Sequence, residues 1–499
     1  MAELRPPVVA MLGHIDHGKS SLLDYIRKTN IVEKEAGGIT QHPSVYEITC
    51  TNGTHITFID TPGHEAFTSI RTRCASVADI AILIVSAEDG VRPQTVEVIK
   101  YIKECNLPYL VAITKVDKTN ADIGRVKQSL AENEVYVEGY GGNISVVEVS
   151  AVTGQGVDDL LDMIGLLSEF EGKTAERDVL GSGVIIESRL DPKRGITAVG
   201  IIQEGTVKQG LFAASSGTIA PIRFLLDTEG NTVEELSFSS PVQIIGWDKM
   251  PMIGAEFKTF LKKEDALTYA ESFAEKGRTL GTDSQGSTLG SKTLESEGVV
   301  ALPIVLKTDT AGSLEVVSNE LNKISREKIT PKIISSGVGA INENDVKSAL
   351  TAPDTYIIGF NTKVDSQAAN LAERSGIAIL TFNIIYELTD KIQELLAEKE
   401  PRVETEQIEC SIKVLKIFST AKNKQVIGGK VLSGTFRQDT EIKIIRRESE
   451  IGRGKVKELQ KGRVATSSAN EGEEFGALIE SKFEIAPGDT LEVITKVIK

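Results

Sequence analysis

The 499-residue sequence has only four cysteines, and they lie far apart without a Cys-x-x-Cys pair: Cys50, Cys74, Cys105 and Cys410. This spacing excludes a disulfide-built scaffold and argues against a structural zinc site. Long apolar runs are missing as well. The longest, Val299–Leu306, is interrupted by Pro303 and falls far short of the roughly 18 residues of a membrane span. Since no apolar signal region opens the chain, we expect a reduced, cytoplasmic protein without a membrane partner.

Positive charge is scarce overall, because 56 Lys and Arg stand against 71 Asp and Glu and leave a net charge of −15. The deficit is unevenly distributed along the chain. From Gln407 to Lys499 there are 17 basic and 13 acidic side chains, so this segment carries +4 and residues 1–406 carry −19. The C-terminal segment is therefore the only place where we expect a polyanion to be attracted.

Up to about Phe170, short apolar runs alternate with stretches of helical spacing. The predicted strands are Pro7–Leu12, Ile56–Ile59, Ile80–Val85, Tyr109–Ile113 and Ser145–Val149, and the predicted helices are Val91–Cys105 and Val157–Phe170. This alternation indicates a parallel sheet covered by helices. Short β-rich runs separated by glycines follow and predict a small β-barrel. A helix is then predicted over Lys263–Lys276, where Gly277 is placed to stop it, before a flexible stretch at Thr279–Gly298.

A second α/β unit follows, with strands predicted at Ala301–Leu306, Lys332–Ile334, Thr355–Ile358 and Ala378–Phe382. The helical pattern over Ile384–Glu400 ends at Pro401 and fits either a rigid spacer, roughly 25 Å long, or an ordinary amphipathic helix packed on its neighbours. Alternation over Cys410–Ile498 predicts a second barrel. The predicted segments are an α/β domain (1–172), a β-barrel (180–262), a helix and flexible linker (263–298), a second α/β domain (299–383), a connecting helix (384–404) and a C-terminal β-barrel (407–499).

A phosphate-binding motif lies between the first predicted strand and the stretch that follows it. Gly13–Ser20 fits G-x-x-x-x-G-K-[ST], in which backbone N–H groups surround a phosphate. Lys19 would reach the terminal phosphates, and the Ser20 hydroxyl would bind Mg²⁺. His14 and His17 have a spacing that also suits a metal pair, but a loop that holds phosphate gives them the plainer role of polar loop residues.

Three further loops follow predicted strands in chain order. Asp60–Gly63 offers a carboxylate for the metal and a backbone N–H for a γ-phosphate. In Thr114–Asp117, the Asp117 carboxylate would accept both N–H donors of a guanine edge, which adenine does not present. Ser150-Ala151 would close the base pocket with backbone N–H groups. Each loop alone is a weak signal, whereas together they predict a guanine-nucleotide site at one edge of the sheet.

With Ala36–His42 and Asp60–Phe67, these loops resemble those of translational GTPases, specifically the bacterial translation initiation factor 2 family. Gly337–Asn342 and Ile357–Asn361 resemble that family's third domain, and Val426–Val431 resembles its last barrel. The resemblance covers nearly the whole chain and implies a P-loop GTPase domain at its start. The long N-terminal extension of many bacterial members is missing from the sequence, which fits either a lineage without it or a trimmed chain.

The resemblance implies a monomeric GTPase that binds GTP or GDP with Mg²⁺ and hydrolyses GTP when the ribosome stimulates it. It would bind initiator (formylmethionyl) tRNA, stabilise it on the small ribosomal subunit and promote joining of the large subunit. The implied nucleotide contacts are Gly13, His14, Ile15, Asp16, His17, Gly18, Lys19, Ser20, Ser21, Thr40, Asp60, Gly63, Thr114, Lys115, Asp117, Ser150 and Ala151. Ser20 and Thr40 would bind Mg²⁺ directly and Asp60 through water, and His64 would orient the attacking water.

The implied tRNA contacts lie in the last barrel, at Lys461, Arg463, Glu474, Phe475 and Gly476. The basic side chains expected to meet phosphates there are Lys443, Arg446, Arg447, Arg453, Lys455, Lys457, Lys461 and Arg463. The sequence departs from the family pattern at Phe475, where a cysteine is usual, and at Gly462, where an aromatic residue is usual. It also has Thr114 where the guanine loop usually has asparagine, so we expect guanine preference with some loss of loop bracing.

Two other functional classes remain open at this point: another translational GTPase, such as an elongation factor for a special aminoacyl-tRNA, and a P-loop metabolic enzyme. The second α/β unit and Ala36–His42 argue against the former, and the lack of a recognisable second small-molecule site argues against the latter. A third class is a degenerate GTPase that serves only as an RNA-binding scaffold. It is disfavoured by the presence of residues that bind and hydrolyse the nucleotide in an active GTPase: Lys19, Ser20, Thr40, Asp60 and His64.

Overall fold

The structure is a computed structural model that describes residues 2–29, 39–50, 53–228, 230–279, 300–326, 328–400, 404–462 and 464–498. The chain forms two compact units, Met1–Lys399 and Glu400–Lys499. Each unit is described by itself below. No helix within the described ranges is long and apolar enough to cross a bilayer.

The first unit begins with a six-stranded sheet in the order β3-β4-β2-β5-β6-β7. Strands β1–β8 are Ala2–Leu4, Val8–Gly13, Ser44–Thr49, His55–Asp60, Ile80–Ser86, Tyr109–Thr114, Val146–Glu148 and Thr174–Glu176. Helices α1–α5 are Lys19–Arg27, Thr68–Val77, Pro93–Glu104, Ile123–Glu132 and Val157–Glu171. The five predicted strands are confirmed and run parallel. Strand β5 is buried along its whole length, as expected for a parallel strand with helices on both faces.

Three strands of this region, β1, β3 and β8, are not predicted by the sequence. Strand β3 runs antiparallel to β4 at the sheet edge, and β1 pairs with β8 at the start of the stretch between the first two predicted domains. All three have mixed or exposed side chains, so none of them produces the apolar run that identifies a buried strand.

An antiparallel sheet of eight strands follows, in the order β13-β12-β18-β9-β10-β17-β14-β15, with a separate β11-β16 pair. Strands β9–β18 are Ser182–Asp191, Gly195–Glu204, Thr206–Lys208, Phe212–Ser215, Thr218–Pro221, Leu225–Leu226, Thr232–Val233, Glu235–Ser237, Pro241–Ile245 and Glu256–Phe260. Their inward side chains, with Trp247, enclose one apolar core, which matches the predicted β-barrel. Helix α6, Lys263–Thr279, packs on this sheet through Ala266 and Ala270.

The prediction that Gly277 stops this helix is wrong, because α6 continues through Gly277 to Thr279. A glycine inside a helix costs only about 1 kcal/mol relative to alanine, so one glycine does not have to end it. The predicted flexible stretch Thr279–Gly298 lies outside the described residues apart from Thr279 itself.

The second α/β part is a parallel sheet in the order β20-β19-β21-β22. Strands β19–β22 are Val300–Thr308, Ile329–Val338, Tyr356–Phe360 and Ala378–Phe382, and helices α7–α10 are Ala311–Lys323, Glu343–Ala349, Ser366–Ser375 and Ile385–Lys399. All four predicted strands are confirmed. Helix α10 buries Leu388, Ile392 and Leu396 in the same core as the sheet, so it is an amphipathic helix packed on its neighbours.

One apolar core joins the three parts of the first unit. It contains Phe67 and Ile70 from the first sheet's helical layer, Ile186 from the antiparallel sheet, and Leu306 and Leu388 from the second α/β part. Because protein cores are close-packed, side chains of the first part are held against the other two.

The second unit is a closed barrel. Strands β23–β30 are Glu404–Ala421, Lys424–Arg437, Glu441–Arg446, Ser449–Lys461, Val464–Ala465, Ser468–Asn470, Glu474–Ser481 and Thr490–Ile498. The ladder β23-β30-β25-β26-β29-β24 returns to β23 through a further antiparallel pairing, which closes the ring. Its inward residues form a separate apolar core, as the alternating sequence pattern predicts.

Candidate functional site

The phosphate loop connects β2 to α1. Asp16 and Gly18 have positive φ angles of 58° and 85°, and Lys19 is the first residue of α1. Within the described residues no side chain caps the start of this helix, so the N–H groups of its first turn face the loop, where a phosphate can accept from them. The contiguous motif therefore forms the expected anion-binding turn.

The Lys19 ammonium group lies under this turn and is almost completely buried. Its Nζ donates to the backbone oxygens of Gly13 at 3.0 Å and His14 at 2.6 Å. Burial lowers its pKa to about 8, and the nearby Asp60 carboxylate opposes part of that shift. A lysine held in this way offers a desolvated positive charge, for which a phosphate chain is a strong partner.

Gly63 brings the second loop directly against the first. A Cβ atom at Gly63 would lie 2.6 Å from Lys19 Nζ and 3.0 Å from the Ile15 nitrogen, so a side chain there would displace the lysine. The loop itself is held by Thr61, whose hydroxyl donates to the Met11 backbone oxygen at 2.6 Å. This close approach explains why glycine occupies the position next to the expected γ-phosphate.

Three oxygen-bearing side chains converge beside the loop. Ser20 Oγ lies 2.7 Å from Thr40 Oγ1 and donates to Asp60 Oδ2 at 3.0 Å. Hydroxyl and carboxylate oxygens are the hard ligands that Mg²⁺ prefers, usually with phosphate oxygens and water completing its shell. The donor set therefore fits Mg²⁺. Within the described residues there is no cluster of three or more His, Cys, Asp or Glu that would suit a metal bound by protein alone.

The predicted base-binding residues lie together at the ends of β6 and β7. Ser150 Oγ donates to Asp117 Oδ1 at 2.7 Å, and this hydrogen bond holds the pKa of Asp117 below its usual range. Asp117 is thus an oriented carboxylate, and Lys115 beside it pairs with Glu88 at 3.3 Å. Ala151 lines a cavity of about 960 Å³ that also contains Ser21 of α1.

Thr114 retains a brace between the base loop and the phosphate loop. Its Oγ1 donates to the His17 backbone oxygen at 2.5 Å, and the Val85 backbone oxygen lies 3.4 Å away. The sequence predicted some loss of bracing with threonine at this position. The structure shows which contact threonine makes: its hydroxyl reaches the loop, because β6 ends directly beneath it.

His14 and His17 pack against each other with ring centroids 5.0 Å apart. His17 is fully buried, its Nδ1 lies 3.4 Å from the Ile84 backbone oxygen, and burial lowers its pKa to about 4. Burial also lowers the pKa of His14. A neutral imidazole packed in this way fills space beneath the loop, in agreement with the plainer of the two roles considered for these histidines.

His64 is engaged within its own loop. It caps a short 3-10 helix at Glu65–Phe67, where its Nδ1 accepts from the Ala66 N–H at 2.8 Å. Its ring contacts Tyr386 of α10 with centroids 4.1 Å apart. Burial lowers the pKa of His64, so the neutral form that accepts this hydrogen bond is favoured.

Two further residues around the loops were missed by sequence reasoning. Arg71 of α2 donates to the backbone oxygens of Pro62 and His64, and its guanidinium also pairs with Glu97. Gln41, which follows Thr40, forms hydrogen bonds to the backbone of the residues at the start of α10. Only tertiary packing reveals these contacts, although Arg71 could be suspected from its place one helical turn after the loop.

The C-terminal candidate residues that the structure describes differ in their exposure. Phe475 is buried in the barrel core with its ring 4.7 Å from that of Phe436, whereas Glu474 is exposed and Gly476 is partly buried. Lys461 pairs with Glu473, and Gly462 occupies a turn with φ of 57°. Arg463 lies outside the described residues.

Most of the basic side chains expected to meet phosphate carry a carboxylate partner. The pairs are Lys443–Glu450, Arg446–Asp489, Arg453–Glu450, Lys455–Asp439, Lys457–Glu480 and Lys461–Glu473. Neighbouring carboxylates reduce the attraction of such cations for a polyanion. The net charge of +4 of this segment therefore overstates how strongly its surface attracts a polyanion.

The parallel sheet, the phosphate loop and the base loop together define a P-loop nucleotide-binding protein of the GTPase class. Three family models match the chain: the elongation factor Tu GTP binding domain at residues 5–168, elongation factor G domain 2 at 181–260, and translation-initiation factor 2 at 281–393. Curated relatives match along almost the whole chain. Translation initiation factor IF-2 of Halothermothrix orenii is 38% identical over 99% of this chain and 72% of its own length. The chain belongs to the translation initiation factor IF-2 family.

Other members match over a smaller share of their own length. IF-2 of Bartonella bacilliformis and of Aquifex aeolicus are each 38% identical over 98% of this chain, which spans 58% and 61% of these relatives. Among solved structures, GDP-bound aIF5B from Aeropyrum pernix is similar over 100% of this chain and 92% of its own, with 22% identity and a TM-score of 0.46.

Proposed function

We propose that this chain is a GTP-dependent translation initiation factor that binds initiator tRNA, stabilises it on the small ribosomal subunit and promotes subunit joining. The observation that carries the nucleotide part is the convergence of Lys19, Gly63 and the Ser20–Thr40–Asp60 oxygens at one end of the parallel sheet. Membership of the IF-2 family supports the part concerning initiation. The location in the cytoplasm and a monomeric state belong to the same proposal.

In this function, the phosphate-loop N–H groups and Lys19 bind the phosphate chain, and Asp117 binds the guanine edge. Ser20 and Thr40 would hold Mg²⁺ directly and Asp60 would hold it through water, and the ion would supply neutralisation of the charge that develops on the phosphates. His64 orients the attacking water once its imidazole lies within hydrogen-bond distance of that water. Since catalysis of phosphoryl transfer depends mainly on positioning, hydrolysis is slow until the ribosome completes this arrangement.

Nucleotide binding is tested by equilibrium titration of the full chain with fluorescent GDP, followed by competition with GTP, ITP and ATP. We expect GTP to compete best, ITP less well because inosine lacks the 2-amino donor to Asp117, and ATP hardly at all. Lys19→Met should abolish binding, whereas Lys100→Met, which removes an exposed lysine of α3, should not affect it. Equal competition by ATP and GTP would contradict the guanine site.

The enzymatic part is tested by measuring GTP hydrolysis with and without ribosomes. We expect little turnover by the isolated chain and strong stimulation by 70S ribosomes. His64→Ala should bind GTP normally and lose the stimulation. Stimulated hydrolysis that is unchanged in His64→Ala would assign the water-orienting role to another group, and rapid hydrolysis without ribosomes would contradict the proposed dependence on them.

A further inference from the structure

The His64 imidazole lies in a cavity of about 430 Å³ on the side of the second α/β part. Apart from His64, its lining residues come from α7, α10 and the loop after α7: Glu320, Lys323, Ile324, Ser325, Arg326, Ile385, Tyr386, Thr389 and Gln393. Among the described residues, none of the phosphate-loop positions 13–20 lines this cavity. The side chain expected to meet the attacking water therefore lies against a different part of the fold.

Both ring edges of His64 are constrained in this position. Nδ1 accepts from the Ala66 N–H, and the buried Nε2 has no hydrogen-bond partner among the residues that the structure describes. The Tyr386 ring lies against the imidazole at 4.1 Å with an interplanar angle of 54°, and the Phe67 ring meets it edge-on at 5.9 Å. An imidazole can orient a water only if one ring nitrogen reaches hydrogen-bond distance of it, so this arrangement has to open first.

The start of α10, which carries Tyr386, is hydrogen-bonded to the segment that contains Thr40. Gln41 Nε2 donates to the Asn383 backbone oxygen at 2.7 Å, and the Ile385 N–H donates to Gln41 Oε1 at 3.3 Å. Gln41 is almost completely buried and directly follows Thr40, whose hydroxyl contacts Ser20. The start of α10 therefore touches both segments that the nucleotide and Mg²⁺ are expected to position.

We propose that Tyr386 is a positioning residue that restrains His64 in a non-catalytic place, and that Gln41 holds the start of α10 where this restraint operates. The inference rests on the proposed role of His64 in orienting the attacking water. When the Thr40 segment or α10 shifts, the ring contact is lost and the imidazole becomes free to rotate toward the phosphates. Tyr386 thus limits hydrolysis in the isolated chain and touches no reacting atom.

The test measures single-turnover GTP hydrolysis by the full chain without ribosomes, at saturating Mg²⁺. Loss of an aromatic pair changes the population of the restrained state by about 3- to 10-fold, so Tyr386→Ala should raise the rate by that factor. Tyr386→Phe, which keeps the ring, should behave like the original chain. Gln393→Ala alters the same cavity on the same helix about two turns from Tyr386, and its rate should also be unchanged.

Two further variants make the result specific. In a His64→Ala background, Tyr386→Ala should have no effect, because there is no imidazole left to release. Gln41→Ala leaves the Tyr386 side chain unchanged but removes the two hydrogen bonds that hold the start of α10, and it should raise the rate as Tyr386→Ala does. A rise that persists in the His64→Ala background would overturn the restraint model.

Binding of fluorescent GDP, measured in parallel, distinguishes a failure of the proposed function from a failure of the restraint by Tyr386. If the original chain binds no guanine nucleotide, the proposed function fails. If binding is intact but Tyr386→Ala hydrolyses GTP at the original rate or more slowly, only the restraint by Tyr386 is overturned. A slower rate would identify Tyr386 as a residue that assists His64 instead.

Discussion

Lys19 shows how strongly one residue of the site depends on its surroundings. The motif predicts a charged lysine, whereas burial under the phosphate loop lowers its pKa to about 8. In the free protein the ammonium form is therefore lost as the pH rises through about 8. Phosphate contacts favour that charged form, so nucleotide binding should raise this pKa again.

We predict from this shift that nucleotide affinity is independent of the protonation of Lys19 below about pH 7 and falls as the pH rises above about 8. The sign follows because, above that pKa, the bound state holds more protons than the free state. Calorimetric titration with GDP in two buffers of different ionisation enthalpy measures the protons exchanged on binding. It should show proton uptake at about pH 8.5 and little proton uptake at about pH 6.5. Proton release at the higher pH would contradict the assignment.

Thr114 gives a second prediction at the residue scale. Thr114→Val keeps the shape of the side chain but removes the hydroxyl that donates to the His17 backbone oxygen. Loss of one buried hydrogen bond of about 1 kcal/mol should speed GDP dissociation by about 5-fold. Stopped-flow chase of fluorescent GDP measures this rate, and Thr114→Ser, which keeps the hydroxyl, is the control. A Val variant as slow as the original would show that the brace does not support nucleotide binding.

At the scale of elements, helix α10 combines a pattern that is visible in the sequence with a position that is not. Its apolar spacing predicts an amphipathic helix, and Leu388, Ile392 and Leu396 form the buried face. The pattern fits a spacer equally well, because spacing identifies an apolar face without identifying what covers it. The structure decides the question by packing α10 into the core of the second α/β part.

Ile392→Ala should destabilise the first unit by about 2–5 kcal/mol, because the substitution leaves a cavity in a close-packed core. Trp247, the chain's single tryptophan, is buried in that unit, so its fluorescence during urea unfolding reports the loss. The exposed neighbour Gln393→Ala is the matched control and should change stability by less than about 0.5 kcal/mol. Equal effects of the two variants would mean that α10 is not packed as described.

Elements differed in how far the sequence alone predicted them. The parallel strands around the phosphate loop are continuous apolar runs, which is why all five were predicted within a residue or two. Strand β3 buries only Val45 and lies at the sheet edge, and β8 has only three residues, so neither strand can be recognised without its pairing partner. At Gly277 the sequence predicts a helix end that the structure does not have, because α6 continues to Thr279.

At the scale of the whole molecule, charge is segregated, but most of the basic side chains expected to meet phosphate in the C-terminal barrel are paired with carboxylates. Lys461 is the informative case, because its partner Glu473 competes for the same ammonium group that a tRNA phosphate would use. A surface ion pair of this kind is weak, and a phosphate can displace the carboxylate at a small cost.

We therefore expect Glu473→Gln in the full chain to strengthen binding of initiator tRNA by about 2- to 5-fold, and Lys461→Met to weaken it and reduce the salt dependence by about one phosphate contact. Filter binding at several salt concentrations measures both. Glu471→Gln removes the same charge two residues away and should have the smaller effect. If Glu471→Gln strengthens binding as much as Glu473→Gln does, the increase in tRNA affinity comes from the change in net charge alone. Lys461 is then not a specific contact.

The sequence by itself determined the parts of this protein that are built from contiguous residues. The phosphate loop Gly13–Ser20 and the parallel strands around it follow from local spacing, because a glycine-rich turn and an apolar run are each recognisable from neighbouring residues alone. Only the tertiary structure decided where His64 and Gln41 lie, since their partners Tyr386, Asn383 and Ile385 are more than 300 residues away along the chain. Those contacts exist because the three parts of the first unit share one apolar core, and no local pattern records which surfaces that core brings together.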